Sequence, residues 1–174
     1  MTRSVPRPWS GPCTGRPVVV GVAPGQPPYV VDAAARLAAN LGTGLVCAWV
    51  DETHVVVERE PDGALDLLPV DPDADEAARE APDDELVAWL AGLLEPLGVP
   101  WRYVYVTGEA ARGLAHVADE HAASFIVVGV RRPGLASWMN QLVGGSVGGH
   151  LAHSQARPVV LVPAPRATGA GASA

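Results

Sequence analysis

The segment "FIVVGVRRPGLASWMNQLVGGSVGGHLAHSQARPVVLVP", Phe125–Pro163, decides the fold of this chain. It contains an apolar run (Phe125–Val130), a glycine-containing loop, a helical stretch from about Ser146 to His153, and a second apolar run (Pro158–Val162). Short, β-branched apolar runs are typical of strands that are buried on both faces, as in parallel sheets. A strand, a helix and a second strand in this order predict a βαβ unit with two parallel strands.

The same alternation continues toward the amino end of the chain. Further strands are predicted at Arg16–Ala23, Gly44–Val50 and Trp101–Val106, and further helices at Tyr29–Gly42, Asp83–Gly98 and Glu109–His121. Five strands alternating with four main helices predict an α/β fold with an open, doubly wound, five-stranded parallel sheet of the Rossmann-like kind. In such sheets, ligands bind beyond the carboxyl ends of the strands, at a topological switch point.

The first helix shows the apolar spacing most clearly. Four side chains recur at helical intervals and are predicted to face the sheet: Val30, Ala34, Leu37 and Leu41. Gly42 follows them and is expected to close the helix, because glycine adopts the left-handed conformation that helix ends favour.

Three segments fall outside the alternation. The stretch His54–Asp71 has two β-like runs around "PDG" and predicts an inserted β-hairpin, whose acids favour a solvated face over a site. Residues 1–15 and 164–174 are rich in small, polar or proline residues, so both ends are predicted to be disordered. One domain is therefore expected, at residues 16–163.

The charge of the chain is uneven. Its net charge is −7, and Asp51–Glu95 alone holds 15 acidic side chains against two arginines. This balance argues against nucleic acid as a partner. All 12 basic residues are arginines. The absence of lysine excludes a Walker-type phosphate lysine and Schiff-base chemistry on this chain.

The cysteines and the hydropathy pattern bear on the cellular compartment. Cys13 and Cys47 are far apart and form no CxxC or zinc-spaced group, so reduced thiols are expected. Cys47 lies in an apolar run and is predicted to fill the core. The sequence contains neither an apolar run long enough for a membrane span nor a signal-peptide centre, so a cytoplasmic protein without a membrane partner is predicted.

The loop before the last helix carries the chemistry of an anion site. Gly144 and Gly145 lead into Ser146 and Val147, where the helix begins. Unpaired amides and the positive end of the helix dipole attract phosphate at a helix start, and glycines allow a ligand to approach the backbone. Plain capping by Ser146 is the alternative interpretation.

In this context the chain resembles the universal stress protein family over about Arg16–Pro163. "GSVGGHLAHSQARPVVLVP" is similar to the closing segment of that family, and "TGEAARGLAHVADEHAASFIVVG" to the helix and strand before it. The resemblance implies an adenine nucleotide α-hydrolase-like fold and a binding and signalling module that is not an enzyme. It also implies a homodimer that pairs through the last strand, Pro158–Val162, and ATP with magnesium as the candidate ligand.

The sequence departs from the pattern of ATP-binding family members, G-x2-G-x9-G-[ST], in three places. Gly129, Gly145 and Ser146 match, but Arg132 occupies the second glycine position. The Gly145–Ser146 pair comes three residues late, and the first strand runs into Ala23 where such members carry an Asp. Gly134 supplies the second glycine only if the loop changes register.

The altered loop leaves two interpretations open. In one, Arg131 and Arg132 contact phosphate oxygens and compensate for the missing glycine. In the other, they pair with acids or a partner, and Pro133 stiffens a loop that binds nothing. Trp138 is expected to pack across the sheet or a dimer rather than to stack on a base. The second interpretation corresponds to a nucleotide-independent, dimeric interaction protein.

Other chemistries have little support in the sequence. His150 and His153 share a helix face without a third metal ligand, so no metal site is predicted. Three serines lack the GxSxG elbow of a serine hydrolase: Ser124, Ser137 and Ser146. Three acids are expected on helix surfaces rather than in acid–base roles: Asp32, Asp119 and Glu120. No catalytic residue is therefore predicted.

Overall fold

The computed structural model describes residues 6–59, 65–69, 83–130 and 147–165. Its strands are β1 (Val18–Val22), β2 (Leu45–Asp51), β3 (His54–Arg59), β4 (Leu65–Pro69), β5 (Trp101–Thr107), β6 (Phe125–Val130) and β7 (Val159–Pro163). Its helices are α1 (Tyr29–Asn40), α2 (Asp83–Leu94), α3 (Ala110–Glu120) and α4 (Val147–Ser154), with a short 3-10 helix at Glu95–Leu97.

Five of the strands form one parallel sheet in the order β5-β2-β1-β6-β7. The first strand occupies the centre, because β1 pairs with β2 on one side and with β6 on the other. The predicted fold class, an open α/β fold with a five-stranded parallel sheet and four main helices, is confirmed. β6 spans the predicted residues, and the other four strands begin and end within two residues of their predicted bounds.

The two faces of the sheet bury separate clusters. On one face, Val18, Val20 and Val22 of β1 pack with α1 and α2. On the other face, Val19 of β1 packs with α3 and α4. Because successive side chains of a strand point to opposite faces, the valines of β1 supply both clusters. Cys47 of β2 is fully buried in the first cluster, as predicted.

The buried face of α1 differs from the predicted stripe. Val30 and Ala34 are buried as expected, but Val31, Ala35 and Ala38 are buried beside them. Leu37 is only partly buried, and Leu41 is 48% exposed after the end of the helix. Small alanines let the helix approach the sheet closely, so the longer leucines lie at the margin of the contact instead of beneath it.

The second helix is shorter than predicted. It ends at Leu94, and the 3-10 helix that follows contains Pro96, which has no N–H to donate to a carbonyl four residues earlier. Gly98 then adopts a φ of +63° and ends the segment. The predicted stop at Gly98 is therefore observed, although the last turn is not α-helical.

β3 and β4 form a separate antiparallel pair, in which His54 lies opposite Pro69 and Arg59 opposite Leu65. Both strands lie in the stretch for which an inserted hairpin is predicted. The residues that connect them, 60–64, lie outside the described residues.

The amino-terminal segment differs from the prediction of a disordered end. Residues 6–14, called the strap below, run along the outer side of β5 in the opposite direction. Arg7 N–H donates to the Tyr103 carbonyl at 3.0 Å, and Ser10 N–H donates to the Trp101 carbonyl at 2.8 Å. Trp9 packs against the second core cluster. A few specific contacts therefore order a segment whose composition alone favours disorder. Residues 1–5 and 166–174 lie outside the described part of the chain.

Candidate functional site

The carboxyl ends of β1 and β6 form the switch point of the sheet. These strands are adjacent and parallel, with Val18 opposite Phe125 and Val20 opposite Val127. The chain leaves β1 toward α1 on one face of the sheet, whereas it reaches α4 on the other face after β6. This divergence opens the crevice in which doubly wound sheets bind ligands.

A tight turn follows β1 at this crevice. Gln26 N–H donates to the Ala23 carbonyl at 3.3 Å, and Gly25 between them has a φ of +70°. A proline at the second position and a glycine with positive φ at the third are typical of a type II turn. The turn brings no carboxylate to the end of β1, because Ala23 stands where ATP-binding members of the resembled family carry an Asp.

The Gln26 side chain is a buried polar group at this turn. The residue is 9% exposed, and its amide nitrogen Nε2 has no acceptor among the described residues. An unmade hydrogen bond on a buried amide typically costs about 1–3 kcal/mol, so such groups point to a missing partner.

The helix starts on this edge differ in how their amides are satisfied. At α3, Glu109 accepts hydrogen bonds from Ala111 N–H and Arg112 N–H, and Glu52 accepts one from Ala110 N–H at 2.9 Å. Two carboxylates of the chain itself thus occupy the place that an anion would take. At α1, the cap residue Pro28 makes no side-chain hydrogen bond to the helix amides. The start of α1 is therefore the better place for an external anion.

An open cavity of about 290 Å³ lies between the β1–α1 turn and α2. Its lining residues are Pro24, Gly25, Glu85, Leu86 and Trp89. The half-buried Trp89 ring and the Leu86 side chain give it an apolar wall, while the exposed Glu85 carboxylate supplies an acceptor at the rim. A mostly apolar cleft with a few polar groups is the common form of a small-molecule site.

Gly129 has a packing role that is independent of any ligand. A Cβ on this residue would lie 2.9 Å from Cγ2 of Val30, which belongs to the buried face of α1. Glycine near the end of β6 therefore lets α1 pack closely against this strand. A motif match at this position therefore has a structural explanation that requires no ligand.

The structure describes two of the eight predicted site residues. Gly129 lies in β6, and Val147 is buried as the first residue of α4, so these two residues bracket the predicted phosphate loop. The other six lie outside the described residues, namely Arg131, Arg132, Gly134, Gly144, Gly145 and Ser146. Trp138 and Ser137 also lie outside them.

Sequence reasoning missed a polar cluster at the carboxyl end of β2. Asp51 is 4% exposed, and its Oδ2 accepts from Tyr105 Oη at 3.0 Å and contacts His54 Nδ1 at 2.7 Å. Its Oδ1 accepts from both N–H and Oγ1 of Thr53. The carboxylate is thus fully hydrogen-bonded and ties the start of β3 to the sheet. An acid directly after an apolar strand is the signal that could have found it.

Three acids that were expected on helix surfaces lie there. Asp32 pairs with Arg36 one turn along α1, and Asp119 pairs with Arg157. Glu120 is partly exposed and lies near His116.

His150 is exposed on α4, and no group of three or more potential metal ligands occurs among the described residues. Within the same residues, no helix is both long and apolar enough to cross a membrane.

The sheet order and the switch point between β1 and β6 define a doubly wound α/β domain. The chain belongs to the universal stress protein family, because the family's sequence model matches residues 15–163. No match was found among proteins with curated descriptions.

Solved structures share this fold. A universal stress protein from Archaeoglobus fulgidus is 21% identical with a TM-score of 0.58, and the match covers 86% of this chain and 99% of that one. A universal stress protein in complex with cAMP is 23% identical with a TM-score of 0.56, covering 84% and 96%. An Archaeoglobus fulgidus universal stress protein in complex with dAMP is 18% identical with a TM-score of 0.56, covering 85% and 98%.

Proposed function

We propose that this universal stress protein binds an adenine nucleotide, with ATP and magnesium as the first candidate, in the crevice between β1 and β6. The proposal rests chiefly on the cavity between the β1–α1 turn and α2, which lies beyond the carboxyl end of β1. Two similar structures hold cAMP and dAMP, which are both adenine nucleotides. We propose a binding and signalling module without efficient turnover.

The base and the phosphates would meet different parts of this crevice. Trp89 and Leu86 form the apolar wall against which a base would pack. The uncapped start of α1 would face phosphate oxygens. Arg131 and Arg132 would add bidentate contacts that compensate for Ala23 and for the missing second glycine.

Magnesium fits this arrangement through oxygen donors. Mg²⁺ keeps several waters and binds phosphate oxygens with one or two carboxylates. Glu85 is a carboxylate that lines the cavity. When bound, the ion would neutralise phosphate charge, and this chain would hold the base and orient the phosphates.

We further propose a homodimer that pairs through β7 in the cytoplasm. Leu161 of β7 is 52% exposed, and β7 pairs only with β6 among the described strands. An uncovered apolar edge strand invites another strand. The free cysteines Cys13 and Cys47 support a reducing compartment.

The second candidate is a nucleotide-independent interaction protein with the same dimer. Ala23 favours it, because the turn after β1 offers a nucleotide no charged side chain at the position where ATP-binding members carry an Asp. Under this candidate, Trp89 packs against its neighbours and contacts no base.

A thermal-shift titration with ATP and magnesium separates the two candidates. Ligand at about 100 times its dissociation constant stabilises the folded state by roughly 2.7 kcal/mol. For a domain of this size, that gain raises the melting temperature by about 5–10 °C. A shift below about one degree at millimolar ATP would reject nucleotide binding and favour the second candidate.

A further inference from the structure

We propose that the strap, residues 6–14, seals the β5 edge of the sheet against pairing with a second copy of this chain. Edge strands present backbone N–H and C=O groups to which another strand can bind. β5 is one end of the five-stranded sheet, and β7 is the other. The strap runs along β5, whereas the described residues place no segment along the outer side of β7.

The strap engages the backbone groups that an added strand would use. The carbonyls of Trp101 and Tyr103 accept hydrogen bonds from Ser10 N–H and Arg7 N–H. Trp101 N–H donates to Ser10 Oγ at 2.9 Å, so a side chain replaces the carbonyl of a regular partner strand. The outer side of β5 is thus occupied over Trp101–Tyr103 without the formation of a sixth strand.

The strap is a poor template for a further strand. Arg7 N–H points toward β5, and in extended backbone the next N–H points the opposite way. The next residue is Pro8, which has no N–H. Pro6 and Pro12 remove two more donors from the same segment. Proline on an edge is a common means by which proteins prevent sheets from joining.

Side-chain contacts hold the strap in place. The Arg102 guanidinium lies over the Trp9 ring at 5.3 Å, and Arg102 Nε donates to the Arg7 carbonyl at 3.0 Å. Trp9 and Cys13 both pack on Gly44, where an added Cβ would lie 2.7 Å from the Trp9 ring and 2.6 Å from the Cys13 sulfur. Gly44 therefore provides the space into which the strap fits.

The difference between the two edges determines how copies can associate. A sheet that is open at both ends can add copies at each end and form open chains. A sheet that is sealed at β5 can pair only through β7, which gives a closed pair. The strap thus limits association, whether or not the β7 pair forms.

The test compares the full chain with a chain lacking residues 2–14, by sedimentation velocity from micromolar to millimolar concentration. The shortened chain is expected to form species with at least about twice the mass of the full chain's species, growing with concentration. A synthetic peptide of residues 6–14 should reverse the growth, and the same peptide with Trp9→Ala should reverse it less. A folded shortened chain with the mass of the full chain at all concentrations would overturn the proposal.

A full-length variant decides the outcome if the shortened chain does not fold. Arg7→Ala with Trp9→Ala removes the anchors and keeps the backbone, and Arg36→Ala on the exposed face of α1 is the control. A broad-specificity protease should cut the double variant within residues 6–14 faster than the control, and its mass should rise at least about twofold. A double variant with the mass of the control would overturn the proposal. Each test compares the mass of the altered chain with the mass of the full-length chain under the same conditions. The result therefore does not depend on whether the β7 dimer forms or whether a nucleotide binds.

Discussion

His54 Nδ1 lies 2.7 Å from Asp51 Oδ2, and Tyr105 Oη donates to the same carboxylate oxygen at 3.0 Å. All three residues are buried, and Trp49 packs edge-on against Tyr105 with 5.1 Å between ring centroids. The arrangement connects the end of β2, the end of β5 and the start of β3 through one carboxylate.

Asp51→Ala should therefore destabilise the protein strongly. The change removes the buried carboxylate to which Tyr105 and Thr53 donate and which His54 contacts, and breaking such a network costs about 3–5 kcal/mol. Urea unfolding followed by circular dichroism measures the loss. Asp32→Ala is the matched control, because Asp32 pairs with Arg36 on the helix surface and such pairs contribute about 0–1 kcal/mol. Equal effects of the two variants would contradict this account of Asp51.

Gly129→Ala should destabilise the protein through contact with Val30. The added Cβ would approach Val30 Cγ2 to 2.9 Å, and such overpacking typically costs about 1–3 kcal/mol. Gly92→Ala in α2 is the control, since nothing lies within 4 Å of its added Cβ and it should stabilise the helix by up to about 1 kcal/mol.

A double variant tests whether the contact with Val30 causes the loss of stability in Gly129→Ala. Val30→Ala in the Gly129→Ala background should cost less than Val30→Ala in the wild type, because the two positions share one contact. The comparison is made from unfolding midpoints. Additive effects would show that Gly129 is needed for a reason other than the packing of α1.

The elements of the sheet were predictable from the sequence, whereas contacts between distant residues were not. β6 is a short β-branched run, a pattern that favours a strand buried on both faces, and its predicted bounds are those observed. The buried face of α1 was harder to predict from the sequence. Val31, Ala35 and Ala38 are buried because the small alanines let the helix lie close to the sheet. The helical period does not reveal how closely a helix approaches the sheet.

The strap and the Asp51 cluster depend on contacts between distant residues, which local sequence patterns do not predict. Arg7 and Tyr103 are 96 positions apart in the sequence, and no spacing rule connects Trp9 with Arg102. Asp51 and Tyr105 come together only because β2 and β5 are neighbours, with Trp49 opposite Tyr105 in the register. The glycine-loop prediction remains a prediction, since six of its eight residues lie outside the described chain.

The two thiols should differ in reactivity. Cys47 is fully buried, and this burial raises the pKa of its thiol far above the usual value, so the reactive thiolate is suppressed from neutral to mildly alkaline pH. Cys13 is partly exposed in the strap. A thiol reagent should therefore modify one cysteine per native chain rapidly and the second only on unfolding.

The variant Gly44→Ala extends the thiol experiment to the strap. Its added Cβ would displace Trp9 and Cys13, so Cys13 should react faster in this variant than in the wild type. Gly92→Ala again serves as control. Two rapidly reacting thiols in the wild type would contradict the burial of Cys47, and an unchanged rate for Cys13 in Gly44→Ala would contradict the packing of the strap on Gly44.

Leu161→Asp should prevent association through β7. A charge in place of a 52% exposed leucine on an edge strand opposes strand pairing. Light scattering should report about twice 18 kDa for the wild type and 18 kDa for the variant. Leu41→Asp is the matched control, because Leu41 is 48% exposed at the end of α1, away from the edge. A wild type that remains monomeric, or a variant that still pairs, would reject the β7 dimer.

The most direct test of nucleotide binding is isothermal titration calorimetry with ATP and magnesium. The account predicts saturable binding of one nucleotide per chain. Arg131→Ala with Arg132→Ala should weaken it at least about tenfold, or 1.4 kcal/mol, while Arg36→Ala leaves it unchanged. The absence of saturable binding by the wild type at millimolar ATP would contradict the account and leave a nucleotide-independent interaction protein.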